Sequence, residues 1–189
     1  MTTHHLSAPR ATRPGSAGSV STHGQNGQSD AVRYLSAAVR ISLGWIFLWA
    51  FLDKLFSLGR ATVDGRGWLE GGSPTQGFLT KGTAGPFKGA YESIAGAGWA
   101  DALFMLGLLG IGVALLLGVA MRIAAASGAL LLVLMWTAVL PPANNPFMDD
   151  HLIYAMVLGI LARTGAGHTL GLGRRWEALP IVQRIPALR

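Results

Sequence analysis

Apolar residues run almost unbroken from Ala102 to Leu140, 39 positions that carry one charge, Arg122, near their midpoint. One bilayer crossing needs about 20 apolar residues. The run therefore predicts two helices joined at Met121-Arg122, one over about 100–120 and the other over 123–140. Upstream, Leu35 to Leu52 holds a single charge, Arg40, and is followed at once by Asp53 and Lys54, which predicts a span over 34–58. A fourth span is less obvious, because Leu152 to Ala162 alone is short. Asn145 suits a helix N-cap, Pro146 the first helical position, and Asp149 and Asp150 a first turn where the helix dipole favours acids. The pattern thus predicts a helix over 146–163, long enough to cross if its charged ends reach for water. The fold class expected is all-α, an integral membrane four-helix bundle.

The stretches between and around these spans differ in kind. Residues 1–30 are rich in Ser, Thr, Gly, Pro, His and Gln with no apolar period, which predicts a disordered tail. No A-x-A-like site follows the first span, so it is expected to act as an uncleaved anchor. The transmembrane domain is set at 31–167. Over 168–189, Arg174, Arg175, Trp176 and Arg184 alternate with Leu172, Leu179, Ile181 and Ile185, the mixture of a basic amphipathic strip on an anionic leaflet. Gly59 to Trp99 far exceeds what joins two antiparallel helices. Its Trp68, Leu69, Phe78 and Leu79 call for burial among turn residues, so a long ordered outer loop between helices 1 and 2, packed as a lid over the bundle, is expected. Gly110, Ala114 and Gly118, four apart, predict close approach of a neighbouring helix.

Charge sets the orientation. Ten of the basic residues (Arg10, Arg13, Arg33, Arg40, Arg122, Arg163, Arg174, Arg175, Arg184 and Arg189) share one side of a four-span layout. Five (Lys54, Arg60, Arg66, Lys81 and Lys88) share the other side with seven of the nine acids. The positive-inside rule then predicts a multi-pass protein of the plasma membrane with both termini cytoplasmic.

Composition supports this setting and narrows the chemistry. The chain is 51% hydrophobic and 13% charged, with 26 glycines, a residue frequent in membrane helices. The net charge of +6 is spread over helix ends and tails and forms no stripe, which argues against nucleic acid. The absence of cysteine excludes disulfides, thiolate catalysis and iron–sulfur clusters. His151 is the only histidine among the spans, so bis-histidine haem is excluded and no metal site is expected. A quinone is the redox cofactor that survives this elimination.

Few ionisable residues lie at membrane depth, and each invites a functional question. Arg40 either snorkels to the surface or faces inward. Trp45 and Trp49, four apart, share a face of the same helix, where with Arg40 they offer a seat for a quinone. Lys54 and Asp53 sit about 20 Å further along the axis, level with Asp149, Asp150 and His151 at the start of the fourth span. Converging under the loop, these residues would form a polar pocket able to bind an anion and pass protons. Alternatively, the aspartates serve only their helix dipole and Lys54 snorkels outward.

The run Arg40-Ile41-Ser42-Leu43-Gly44-Trp45-Ile46-Phe47, with Lys54-Leu55 beyond it, resembles the first helix of the DoxX family of four-helix bacterial membrane proteins. Gly71-Gly72-Ser73-Pro74-Thr75-Gln76-Gly77-Phe78-Leu79 resembles its DoxD branch, linked to thiosulfate:quinone oxidoreductase, and Gly171-Leu172-Gly173-Arg174-Arg175-Trp176 resembles the end of such chains. The likeness covers roughly 33–178. It implies a membrane subunit that passes electrons to a membrane quinone, with thiosulfate as donor and a second polypeptide as partner. Phe51 stands where many relatives carry glycine, which narrows any cavity at that level. The resemblance brings no catalytic set, so the roles rest on placement alone. Lys54, Ser73 and Thr75 would bind the sulfur oxyanion, Asp150 and His151 would manage protons, and Arg40, Trp45 and Trp49 would hold the quinone. Oxidising two thiosulfates to tetrathionate balances the two-electron reduction of one quinone. The competing expectation is a non-catalytic membrane scaffold that recruits an oxidoreductase or redox-stress complex. A transporter is disfavoured by the lack of an internal repeat.

Overall fold

The computed structural model describes Met1 and residues 29–188. Nearly all of the tail expected over residues 1–30 therefore lies outside the described residues. Among those described, regular structure is entirely helical: α1 Asp30–Phe56, α2 Gln76–Lys81, α3 Lys88–Ser93, α4 Gly98–Leu117, α5 Met121–Ala138, α6 Asp150–Arg163, α7 Gly173–Glu177 and α8 Pro180–Arg184, with short 3₁₀ turns between. Three of these, α1, α4 and α5, are long and apolar enough to cross a membrane. A lipid bilayer is the environment these helices suit.

The sequence-based boundaries need two corrections. The turn between the central helices falls at Gly118–Ala120 and not at Met121-Arg122, because Gly118 takes φ 70°, the left-handed conformation that ends a helix at little cost for glycine. The last long helix begins at Asp150, four residues later than expected. Asn145 does not cap it. Its side-chain oxygen accepts the N–H of Phe147 and of Met148, each at 2.9 Å, which closes a local turn. Asp149 is the N-cap, with extended backbone and its carboxylate accepting the Leu152 N–H at 3.3 Å. The resulting 14 residues rise about 21 Å, short of the ~30 Å hydrocarbon core.

Phe47 of α1, Met105, Leu108, Ile111 and Leu115 of α4, Leu132 of α5 and Leu158 and Leu161 of α6 form one buried core. Glycine decides where backbones meet. A Cβ on Gly44 would lie 2.9 Å from the Leu116 nitrogen, and one on Gly112 2.8 Å from that of Leu48, so α1 and α4 touch at these two positions. Gly128 likewise admits Leu158. The anticipated stripe fails at Gly110, which faces open space. Large apolar side chains also point outward, as Leu103 and Leu106 do at 66% and 65% exposure. Small residues inside and leucines outside are the arrangement of a helix pair in lipid.

The connection from α1 to α4 is folded and carries α2 and α3. Ala84 donates its N–H to the Ala138 carbonyl at 2.8 Å, and Tyr91 donates its hydroxyl to that of Leu134 at 3.0 Å. At the opposite end, Leu172 donates to the Leu117 carbonyl at 2.7 Å and Trp176 Nε1 to that of Leu188 at 2.6 Å, which folds the C-terminal segment back under the helices.

Candidate functional site

Arg40 is fully buried. It neither snorkels nor opens toward a ligand, since each guanidinium nitrogen is spent on backbone carbonyls. Nε donates to Ala166 at 3.1 Å, Nη1 to Leu115 and to Leu116 at 2.9 Å, and Nη2 to Thr169 at 3.2 Å and Leu170 at 2.8 Å. The C-terminal carbonyls of α4, unpaired by helix geometry, supply one wall of this cradle. The other wall is the stretch after α6, which comes close only because it lacks side chains. A Cβ on Gly171 would meet the Gly167 carbonyl at 2.5 Å and Arg40 Nη2 at 3.2 Å, and one on Gly173 would meet the Gly118 carbonyl at 2.8 Å. Leu170 takes φ 51° within this turn. The signal for this cradle was the spacing of Gly165, Gly167, Gly171 and Gly173, of which the sequence analysis took up only the last two, within the Gly171–Trp176 motif.

Asp53, near the C-terminal end of α1, is 1% exposed. Its carboxylate accepts three N–H groups, from Arg60 and Ala61 at 3.1 Å and from Thr62 at 2.8 Å, and so fixes the chain as it leaves the helix. Next to it, Ser57 donates its hydroxyl to Glu70, which also accepts the Gly67 N–H at 3.0 Å. These two hydrogen bonds, the Ser57 hydroxyl foremost, hold the Glu70 carboxyl below the usual glutamate range.

Ser73 and Thr75 are not free to take an anion, because the protein's own carboxylate already fills their donors. Asp101 of α4, 5% exposed, accepts the Ser73 hydroxyl at 2.8 Å and the Thr75 hydroxyl and N–H at 2.6 and 3.0 Å. The glycine-rich run is thus a latch between the α1–α4 connection and α4. Asp101 escaped notice because it reads as an ordinary first-turn acid.

Asp149, Asp150 and His151 do come together. Their donor atoms lie within 4.8 Å of one another, with His151 Nδ1 at 2.8 Å from Asp149 and 3.7 Å from Asp150. Asp149 is nevertheless committed to capping α6. Among the described residues no hydrogen bond or ion pair joins this cluster to Lys54, Ser73 or Thr75, and Lys54 itself is half-buried without an ion pair. The structure does not tie these six residues into one pocket.

Trp45 and Trp49 form a tilted pair with ring centroids 5.8 Å apart, 51% and 36% exposed. They face outward from the bundle side that holds Arg40, so the three do not line a common seat. Among the described residues no buried side-chain nitrogen or oxygen lacks a hydrogen-bond partner.

No protein-family model, no curated protein and no solved structure matches the chain.

Proposed function

We propose that this chain is a non-catalytic membrane scaffold that holds an oxidoreductase at the plasma membrane. The observation that carries the reading is the saturation of its buried charge. Arg40, Asp53 and Asp101 direct their hydrogen bonds to the fold's own carbonyls, N–H groups and hydroxyls. Catalytic groups need capacity left over for a substrate, and here that capacity goes to holding segments in place. The DoxX-like motifs support the redox connection, since they coincide with the structural joints: Arg40 with its cradle, Ser73 and Thr75 with their latch.

Four crossings with both termini cytoplasmic complete the proposal. Arg40 lies in the first half of α1 and bonds both to the end of α4 and to residues just beyond α6. The chain leaving α6 is thus level with the first half of α1, which supports an even number of crossings.

A second reading, a quinone-reducing subunit fed by thiosulfate or another small sulfur anion, is favoured by one observation: the outward Trp45–Trp49 pair offers aromatic faces at membrane depth to a quinone ring. Purified chain, gently extracted, separates the two. The scaffold reading expects no retained quinone and no thiosulfate-dependent quinone reduction by this chain alone or with its partner subunit reduced to its membrane-docking part. Stoichiometric quinone, lost on replacing both tryptophans by leucine, together with such a rate, would establish the second reading.

A further inference from the structure

At the end of the bundle opposite the Asp101 latch lies a cleft of about 270 Å³ that neither reading uses. Its walls come from the α4–α5 turn, the end of α6 and α7, and they include Arg122, Arg163, His168, Trp176 and Glu177. It is smaller than the ~300–1,000 Å³ that encloses a drug-sized molecule, and it is the size of a headgroup.

Its charge is positive on balance. Arg122 spends one nitrogen, Nη1, on the Pro186 carbonyl at 3.0 Å and keeps its others. Arg163 makes no ion pair among the described residues. The one acid, Glu177, is held by His168 Nε2 at 2.9 Å, so it faces a partner of its own. Both arginines stand at the ends of apolar helices, the depth at which lipid phosphates lie. Around the cleft the C-terminal segment turns apolar side chains outward: Leu170, Leu172, Leu179 and Ile181 are 43% to 64% exposed, while Val182 of the same segment is fully buried. A surface that is greasy at its rim and cationic in its recess suits an acyl chain attached to a phosphate better than a free ion.

We infer that this cleft binds the phosphate of an anionic phospholipid, with Arg122 and Arg163 as its ligands and Trp176 at the interface beside it. Two guanidinium groups in fixed positions give planar, forked recognition of phosphate oxygens. The inference rests on the bilayer setting and is independent of the redox reading.

Native mass spectrometry of the full chain, released from phosphatidylcholine nanodiscs with and without phosphatidylglycerol, tests it. The expected result is retained phosphatidylglycerol in preference to phosphatidylcholine. Retention should fall roughly 25-fold in R122Q/R163Q, since each basic residue near an anionic surface contributes about a factor of five, and about fivefold in R163Q alone, which breaks no internal hydrogen bond. R174Q/R175Q, at exposed positions of α7 outside the cleft walls, should lose much less. Equal losses in the two double variants would mean diffuse surface attraction and would overturn the site, as would equal retention of the two lipids. Inorganic phosphate at millimolar concentration is expected not to displace the lipid. Displacement would assign the cleft to a soluble phosphate compound and overturn the lipid. A helical spectrum unchanged from the parent confirms that each variant is folded.

Discussion

Thr75 and Asp101, 26 positions apart, are joined twice: the threonine gives its hydroxyl at 2.6 Å and its N–H at 3.0 Å to one carboxylate oxygen. The connection from α1 to α4 is held to α4 through this carboxylate, and Ser73 adds a third donor. Replacing Asp101 by Ala should strand three donors and cost about 2–3 kcal/mol. Asp101→Asn, which keeps an acceptor oxygen, should cost less than half of that. Thermal unfolding in detergent, together with tryptic cleavage at Lys81 and Lys88, measures both. Equal melting of D101A and the parent would remove the latch.

Arg40 satisfies five carbonyls from a single side chain. Lysine keeps the charge but has only three donors on a point-like head. Arg40→Lys should therefore destabilise by about 3 kcal/mol and expose the C-terminal segment to trypsin at Arg174 and Arg175. An R40K protein as protease-resistant as the parent would show that the cradle does not depend on the guanidinium fork.

Gly171→Ala tests the same cradle from its far side. The added methyl meets the Gly167 carbonyl and Arg40 Nη2, so a loss of about 1–3 kcal/mol is expected. The losses in G171A and R40K should combine to less than their sum, because both open one joint. Additive losses would separate the two residues.

Glu70 gives the connection from α1 to α4 a pH dependence. Its folded-state value is lowered from 4.5, chiefly by the Ser57 hydroxyl and then by the Gly67 N–H. A carboxyl lowered on folding contributes stability that is full above its unfolded value and is lost as pH falls through the folded one. Amide exchange over residues 57–72 should therefore quicken relative to the intrinsic rate as pH drops below about 4.5. In Ser57→Ala the folded value should rise toward the ordinary one, so the acid-linked quickening should shrink and level off at a higher pH, and a profile unchanged from the parent would contradict the hydroxyl's part.

The two candidate caps of α6 can be told apart. Asp149→Ala removes the acceptor for the Leu152 N–H and should cost about 1 kcal/mol. Asn145→Ala only loosens a turn, so its loss should be smaller. The opposite order in melting temperature would restore Asn145 as the helix start.

The resemblance-bearing motifs were legible, whereas their work was not. Arg40, Ser73 and Thr75 stood out as polar groups in an apolar chain, and such groups read from sequence as sites for a ligand. Their partners are the Leu116 and Leu170 carbonyls and the Asp101 carboxylate, and a backbone carbonyl has no signature in a residue's identity. Gly44 and Gly112 carry the helix contact rather than Gly110, because the rotation of a helix about its axis follows from its packing and not from its periodicity alone.

Hydrophobicity along the chain, a property each residue carries alone, was enough by itself to determine three membrane-length helices. Which polar groups face one another depends on segments tens of residues apart meeting at ångström precision, and only the folded arrangement decided it. That arrangement ties Arg40, Asp53 and Asp101 into three internal joints and leaves a basic cleft at the far end. A buried charge must find a partner wherever the fold supplies one, and here the fold supplies its own.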